Sequence, residues 1–317
     1  MPTQTTREMK PLISIVLCTY NNADSLEITM NQLATMDQPE PGLIEIIIVD
    51  NNSPDHTAQI AQHFSTRHPH FHYYFEPKQG LSHARNTGLE KAQGEYILFT
   101  DDDADIPANW TKEYINTIRN LSPDCLYSKI SIIWDRPKPW WFLPQYTPCF
   151  VGLDYGDSLL EINDIHREFY GKNFCVRKTL LIELGGFDPN LGRQGSKLAA
   201  GEETLLYRKM VWAKNKVIYF PSAGVGHRLK EREYTSENIK KLFVDGAHSS
   251  FHIAKLTARK KLMGRPVRLL IDALTNSFSA SLKFIFALVK MDKAARFYHY
   301  LCICKNLTLI KLWLKSS

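Results

Sequence analysis

The sequence predicts an α/β fold, a mostly parallel sheet flanked by helices, with a helical C-terminal extension. Three observations predict it. Run 12–18 and, apart from Glu45, run 43–49 are continuous, apolar and β-branched, as in strands buried on both faces. Helix-like stretches alternate with such runs through the first half, the order that gives parallel strands. After about residue 234 the pattern is helical to the end, with no clear strand.

Taken in order, the strands are 12–18, 43–49 (interrupted only by Glu45), 71–75 and 96–100. Helices over about 23–36, 56–68 and 82–93 connect them, with Asp24, Ser53 and Ser82 as expected caps. Pro107 suits the first residue of another helix, running to about Asn120. Residues 126–134 alternate like a strand. Residues 135–160 carry four prolines and many aromatics and are expected to be a loop region. A strand at 170–176, a helix at 178–184 ended by Gly185-Gly186, a helix at 202–214 and a strand at 217–220 follow. Gly264-Arg265-Pro266 is expected to divide the helical tail into two parts. The expected organisation is a disordered N-terminus over 1–10, a catalytic domain over 11–232 and a basic, amphipathic helical region over 233–317.

The chain has 317 residues, 44% of them hydrophobic and 23% charged, ordinary for a globular protein. Residues 1–10 are polar and run 12–18 is short, so no secretory signal is expected. No run reaches about 18 consecutive apolar residues, so no spanning helix is expected. Six scattered cysteines lack the paired spacing of a zinc site and suit buried thiols in the cytoplasm. The net charge of +6 conceals an asymmetry: residues 228–317 hold 18 basic and 6 acidic side chains. An acidic front and a basic tail suggest separate tasks.

The strongest chemical signal is Asp101-Asp102-Asp103, directly after the apolar strand 96–100. Adjacent carboxylates at a buried strand end repel one another and call for a cation; oxygen ligands point to Mg²⁺ or Mn²⁺. Ligands of open α/β sheets bind outside the carboxyl ends of the strands. Two other strand ends carry polar groups to that edge: Thr19-Tyr20-Asn21 and Asp50-Asn51-Asn52. Asp50 could accept the imide N–H of a pyrimidine, and Tyr20 offers a face for stacking.

The blocks LISIVLCTYNN, IIIVDNNSPD, GLSHARNTGLEKAQGEYILFTDDDADIPANW, GGFDPNLG and GEETLL, in this order, resemble the inverting family 2 glycosyltransferases with the GT-A fold. The resemblance covers roughly residues 11–230. It implies a sugar transferred from a nucleoside diphosphate, UDP- or dTDP-like, to a hydroxyl of a saccharide or lipid-linked saccharide acceptor. It implies nucleotide binding by Thr19, Tyr20, Asn21, Asp50, Arg85 and Asp101. Asp101 and Asp103 match the family's Asp-x-Asp motif, with Asp103 as the direct metal ligand and Asp102 toward the donor sugar. Asn173, in Gly171-Lys172-Asn173, falls in the donor-sugar segment, and His227 is a candidate third metal ligand. The base lies in an acidic pair opening a helix, here Glu202-Glu203. Glu203 is expected to be the base and Glu202 a substrate contact, with the reverse open.

Trp140 and Trp141 could stack on acceptor sugars; the other reading is a hydrophobic plug against the C-terminal helices. Basic clusters beside apolar helical stretches in the tail fit peripheral contact with an anionic membrane; helical packing or a dimer contact is the alternative. No nucleic-acid motif accompanies the charge. Two other function classes fit the sequence less well. A sugar-nucleotide nucleotidyltransferase should carry a glycine-rich loop after the first strand, where residues 18–22 hold no glycine. A non-catalytic sugar-nucleotide-binding module should have lost acidic positions that are all present here.

Overall fold

The computed structural model describes residues 10–37, 40–194 and 200–316. The segment expected to be disordered, 1–10, lies outside the described residues except for Lys10. The chain opens with β1 (Ile13–Thr19), α1 (Ala23–Thr35), β2 (Ile44–Asp50), α2 (Thr57–Arg67), β3 (Phe71–Phe75), α3 (Leu81–Lys91) and β4 (Tyr96–Asp101). β1 and β2 are buried along their whole length. Such strands need cover on both faces, which only crossover helices supply. Glu45, the charge inside β2, is buried and accepts from Ser14 Oγ and the Gln93 and Gly94 N–H groups, while Asp50 ends the strand.

These strands run parallel in the order β3-β2-β1-β4. Register sets Thr19 beside Asp50 and Cys18 beside Asp101, so three strand ends meet at one edge. The anticipated caps form differently. Helices α1, α2 and α3 start after Asn22, His56 and Gly80, none with a side-chain cap bond. Asp55 instead accepts from the Ala23 and Thr57 N–H groups, serving two helix starts.

Next come β5 (Ala104–Asp105), α4 (Trp110–Leu121), β6 (Cys125–Tyr127) and β7 (Ile130–Ile133). The single strand expected over 126–134 is thus two. The chain changes sheets at Ser128-Lys129, where Ser128 Oγ donates to Phe220 O and the Lys129 carbonyl accepts from Asn173. After a 3₁₀ turn at Pro144–Phe150 come β8 (Leu160–Glu161), β9 (Phe174–Arg177), α5 (Lys178–Glu183), α6 (Glu202–Trp212), β10 (Val217–Tyr219) and β11 (Val225–Arg228). The main sheet reads β3-β2-β1-β4-β9-β6-β10-β8, with β9 antiparallel to β4 and β6. A small sheet, β5-β11-β7, crosses the edge where the acidic triplet lies.

The tail holds α7 (Ser236–Thr257), a short hairpin of β12 (Lys261–Leu262) and β13 (Arg265–Pro266), α8 (Val267–Val289) and α9 (Lys293–Lys315). Gly264, at φ +77°, turns the hairpin. A second break at 290–292, which sequence reading missed, separates α8 from α9; Met291 there has φ 57° and Asp292 caps α9. Despite its polar positions, α8 is long and apolar enough to cross a membrane by length and composition.

Candidate active site

A cavity of ≈ 630 Å³ opens at the carboxyl ends of β1 and β4. Its floor is the acidic triplet, and its walls include Tyr20, Arg85, Gly171, Glu202 and Glu203. Asp101 ends β4, one position beyond the fully buried stretch that anchors it. Asp102 is buried and accepts from Thr19 Oγ1 at 2.7 Å and Asn22 Nδ2 at 2.6 Å. The triplet is thereby tied to the end of β1.

Two lysines meet the triplet. Lys172 is 1% exposed; its Nζ contacts Asp103 Oδ1 and lies 3.3 Å from Asp101 Oδ2. Lys230 Nζ lies 3.1 Å from Asp103 Oδ2 and 3.8 Å from Asp102 Oδ1. Burial would raise the Asp103 pKa, but Lys172, Lys230 and His227 outweigh it and hold the carboxyl well below the usual range. Asp102, more weakly compensated, is pushed up to about 6 by burial.

Arg85 is buried on α3 and forks onto the acidic pair, 2.8 Å from Glu202 Oε1 and 2.9 Å from Glu203 Oε1. Asp101 Oδ1 is 4.0 Å from its other nitrogen. One guanidinium therefore joins the triplet to the start of α6. Burial, and then the neighbouring Glu203 charge, push Glu202 up to about 8. Two glycines permit this contact. Gly201, at φ +110°, turns the chain into α6. At Gly171 any Cβ would collide with Arg85 Nη2 and Glu203 Oε1.

The donor set suits a divalent cation in one respect. His227 Nδ1 lies 2.8 Å from the Phe150 carbonyl, which can only accept. The proton is therefore on Nδ1, and burial together with Lys172 lowers the ring's pKa, keeping it neutral. The bare Nε2 faces Asp103 Oδ2 across 3.9 Å, and Glu233 Oε2 at the same distance. Lys230, with Nζ 3.1 Å from Asp103 Oδ2 and its backbone N–H donating to Glu233 Oε2, already compensates both carboxylates in part, and imidazole with carboxylate suits Mn²⁺. Among the described residues, no three His, Cys, Asp or Glu side chains converge on one point. The side chains that would hold a cation here are Asp103 and His227, and Lys172 contacts both Asp103 and Asp101.

Other expected residues are placed as follows. Tyr20 lines the cavity with 40% of its surface exposed, leaving a face for stacking. Asn21 adopts φ 49°, and its N–H donates to Ser53 Oγ. Asp50 is at the correct edge but behind the wall: it accepts from the Ser53 N–H and from Tyr73 OH, and Asn51 takes the lining position. Asn173 is not a donor-sugar contact here. Its Oδ1 accepts from Trp110 and Tyr114, and its Nδ2 donates to the Lys129 and Ala223 carbonyls, which uses all its capacity.

Trp141 is buried among Tyr146 and Phe150, and Trp140 lies under Lys293, 4.2 Å from the ring centroid. Neither lines the cavity: Trp141 packs as a plug toward the C-terminal helices, whereas Trp140 is 53% exposed. Sequence reading placed Gly171 and Lys172 in the donor-sugar segment without a role for either, and missed Lys230 and Asn22 as site residues.

The family model described as "Glycosyl transferase family 2" matches residues 14–185. A glucosyl-dolichyl phosphate glucuronosyltransferase of Haloferax volcanii is 27% identical over 69% of this chain and 70% of its own. A succinoglycan biosynthesis protein of Rhizobium meliloti is 24% identical over 69% of this chain and 67% of its own. A mannosyltransferase of Pyrobaculum calidifontis, solved with GDP-Man and Mn²⁺, superposes with a TM-score of 0.57 at 18% identity, covering 97% of this chain and 89% of that one. TarS of S. aureus, solved with UDP, gives a TM-score of 0.56 at 19% identity, covering 94% and 91%. These neighbours share the GT-A fold.

Proposed function

From the premise that the chain belongs to glycosyl transferase family 2, we propose that it is an inverting transferase assisted by a divalent cation. It moves a sugar from a nucleoside diphosphate to a hydroxyl of a saccharide or lipid-linked saccharide acceptor. The observation that carries this reading is Arg85, which links an acidic pair and an acidic triplet across one cavity.

In this reading, Tyr20 stacks on the base, and Thr19, through Asp102, fixes the loop that receives the donor. Mn²⁺ or Mg²⁺ held by Asp103 and His227 would neutralise the leaving diphosphate. Glu203 takes the acceptor proton as the hydroxyl attacks the anomeric carbon from the opposite side. Glu202 keeps its own proton at neutral pH, since it is pushed up to about 8, and so leaves the basic role to its neighbour. Gly171 keeps the space in which Arg85 reaches both glutamates.

The region 11–232 carries this chemistry, and 233–317 serves as a peripheral anchor on the cytoplasmic face of an anionic membrane. An exposed apolar stripe on α8 supports the anchor. Support for a lipid-linked acceptor comes from the relative whose name includes a dolichyl phosphate. Residues 18–22 hold no glycine, which disfavours nucleotidyl transfer.

The test is release of nucleoside diphosphate from a panel of sugar donors with Mn²⁺, with the anomeric configuration of the product read by NMR. Glu203→Gln should cut turnover by roughly 10²–10⁴-fold with donor binding kept. Retention of configuration, or full activity of Glu203→Gln, would overturn the reading.

A further inference from the structure

Both carboxylate oxygens of Asp103 are already taken. Lys172 holds Oδ1, and Lys230 lies 3.1 Å from Oδ2. The two ammonium groups differ in freedom. The Lys230 side chain is 26% exposed and can swing into the cavity, whereas that of Lys172 is 1% exposed. Its backbone is pinned as well, because the next residue, Asn173, makes four hydrogen bonds into the core. A buried ammonium is stable only while it is paired, and this one is paired with both members of the Asp-x-Asp motif.

We infer that Lys172 is a built-in counter-ion of the acidic motif: from behind the cavity lining its ammonium stands between Asp101 and Asp103, competes with the divalent cation, and leaves a fixed positive field for the donor diphosphate when no metal is bound. A metal can approach Asp103 from the Lys230 and His227 side, but it does so beside a fixed positive charge. That repulsion weakens metal binding in the empty enzyme. Arrival of the diphosphate, which is anionic, removes the penalty, so metal and donor bind as a coupled pair. A purely structural role for Lys172 predicts something different: its loss would lower stability and leave metal affinity as it was.

The experiment measures Mn²⁺ affinity of the full chain by loss of the free-ion EPR signal, without nucleotide. A parallel titration calorimetry measurement uses UDP and GDP in EDTA. Lys172→Met should bind Mn²⁺ about tenfold more tightly than the wild type and bind the nucleoside diphosphates about tenfold more weakly in EDTA. Mn²⁺ affinity that is unchanged or weakened in Lys172→Met overturns the inference. Should that variant not fold, Lys172→Gln, which keeps a hydrogen-bond donor on Asp103, is read by the same outcomes. The inference rests on the transferase reading, but the two fail separately. Donor turnover with unchanged Mn²⁺ affinity in the variant sinks only the role of Lys172; absence of turnover with the shifts intact sinks only the transferase reading.

Discussion

Two adjacent glutamates at the start of α6 share one guanidinium yet hold their protons differently. Glu202 is 2% exposed, and its Oε2 is buried with no hydrogen-bond partner, so Arg85 on Oε1 compensates only part of the cost of ionising it. Burial first, then the charge of Glu203, push it up to about 8 against the pull of Arg85. This has a consequence for stability. The folded state holds the Glu202 proton more tightly than the unfolded chain, where the carboxyl has its model value of 4.5. The contribution is therefore full below about pH 4.5 and is lost as pH rises toward about 8. Glu202→Gln cannot ionise and should escape this loss. The difference in melting temperature, variant minus wild type, should grow between these limits by about 2 °C or more. Asp102, pushed up to about 6, declines in both proteins and cancels from the difference. Parallel curves across the window would show that Glu202 carries no raised pKa.

At the scale of elements, the site is made where a loop, a helix and a strand end approach too closely for side chains of ordinary size. Gly171 precedes β9 and faces the junction of Arg85 with Glu203. Gly171→Ala should force the guanidinium off Glu203, costing about 1–3 kcal/mol of stability by denaturant unfolding and reducing turnover with it. Unaltered stability and activity would mean that the loop relaxes freely. The core of this arrangement was legible in the sequence. Runs 12–18 and 43–49 are apolar but for Ser14 and Glu45, and such runs fit buried parallel strands. Their polar ends, Thr19 and Asp50, then fall on one edge by register. What was not legible depends on partners distant in the chain. Asn173 reads as a binding residue until Trp110 and Tyr114 are found against it. Trp141 reads as a sugar platform until Tyr146 and Phe150 enclose it. β11 includes Gly226 and His227 among its four residues and has no apolar signature; its strand character comes from β5 and β7 on either side.

At the scale of the whole molecule, the acidic motif and the basic tail occupy different ends of one chain, and α8 is the element that breaks the usual rule for a surface. Ala273, Ala280 and Ala287, seven residues apart, are buried, which lets neighbouring helices approach closely. Ile271, Leu274, Phe278, Leu282, Ile285 and Val289 recur at helical spacing and are all exposed. From Ile271 to Val289 that stripe extends about 27 Å. Exposed Arg268, Lys283, Lys290 and Lys293 accompany it. An apolar stripe accompanied by cations matches the interface of an anionic bilayer, where the stripe enters the acyl boundary and the cations meet headgroups. The full chain should therefore pellet with phosphatidylglycerol vesicles, less so as salt rises, and hardly at all with phosphatidylcholine. Phe278→Asp combined with Ile285→Asp should abolish pelleting while donor hydrolysis in solution continues, because neither residue lines the catalytic cavity. If the wild type instead sediments as a dimer, the double variant as a monomer, and neither binds vesicles, the stripe is a seam between two copies. The membrane assignment then fails.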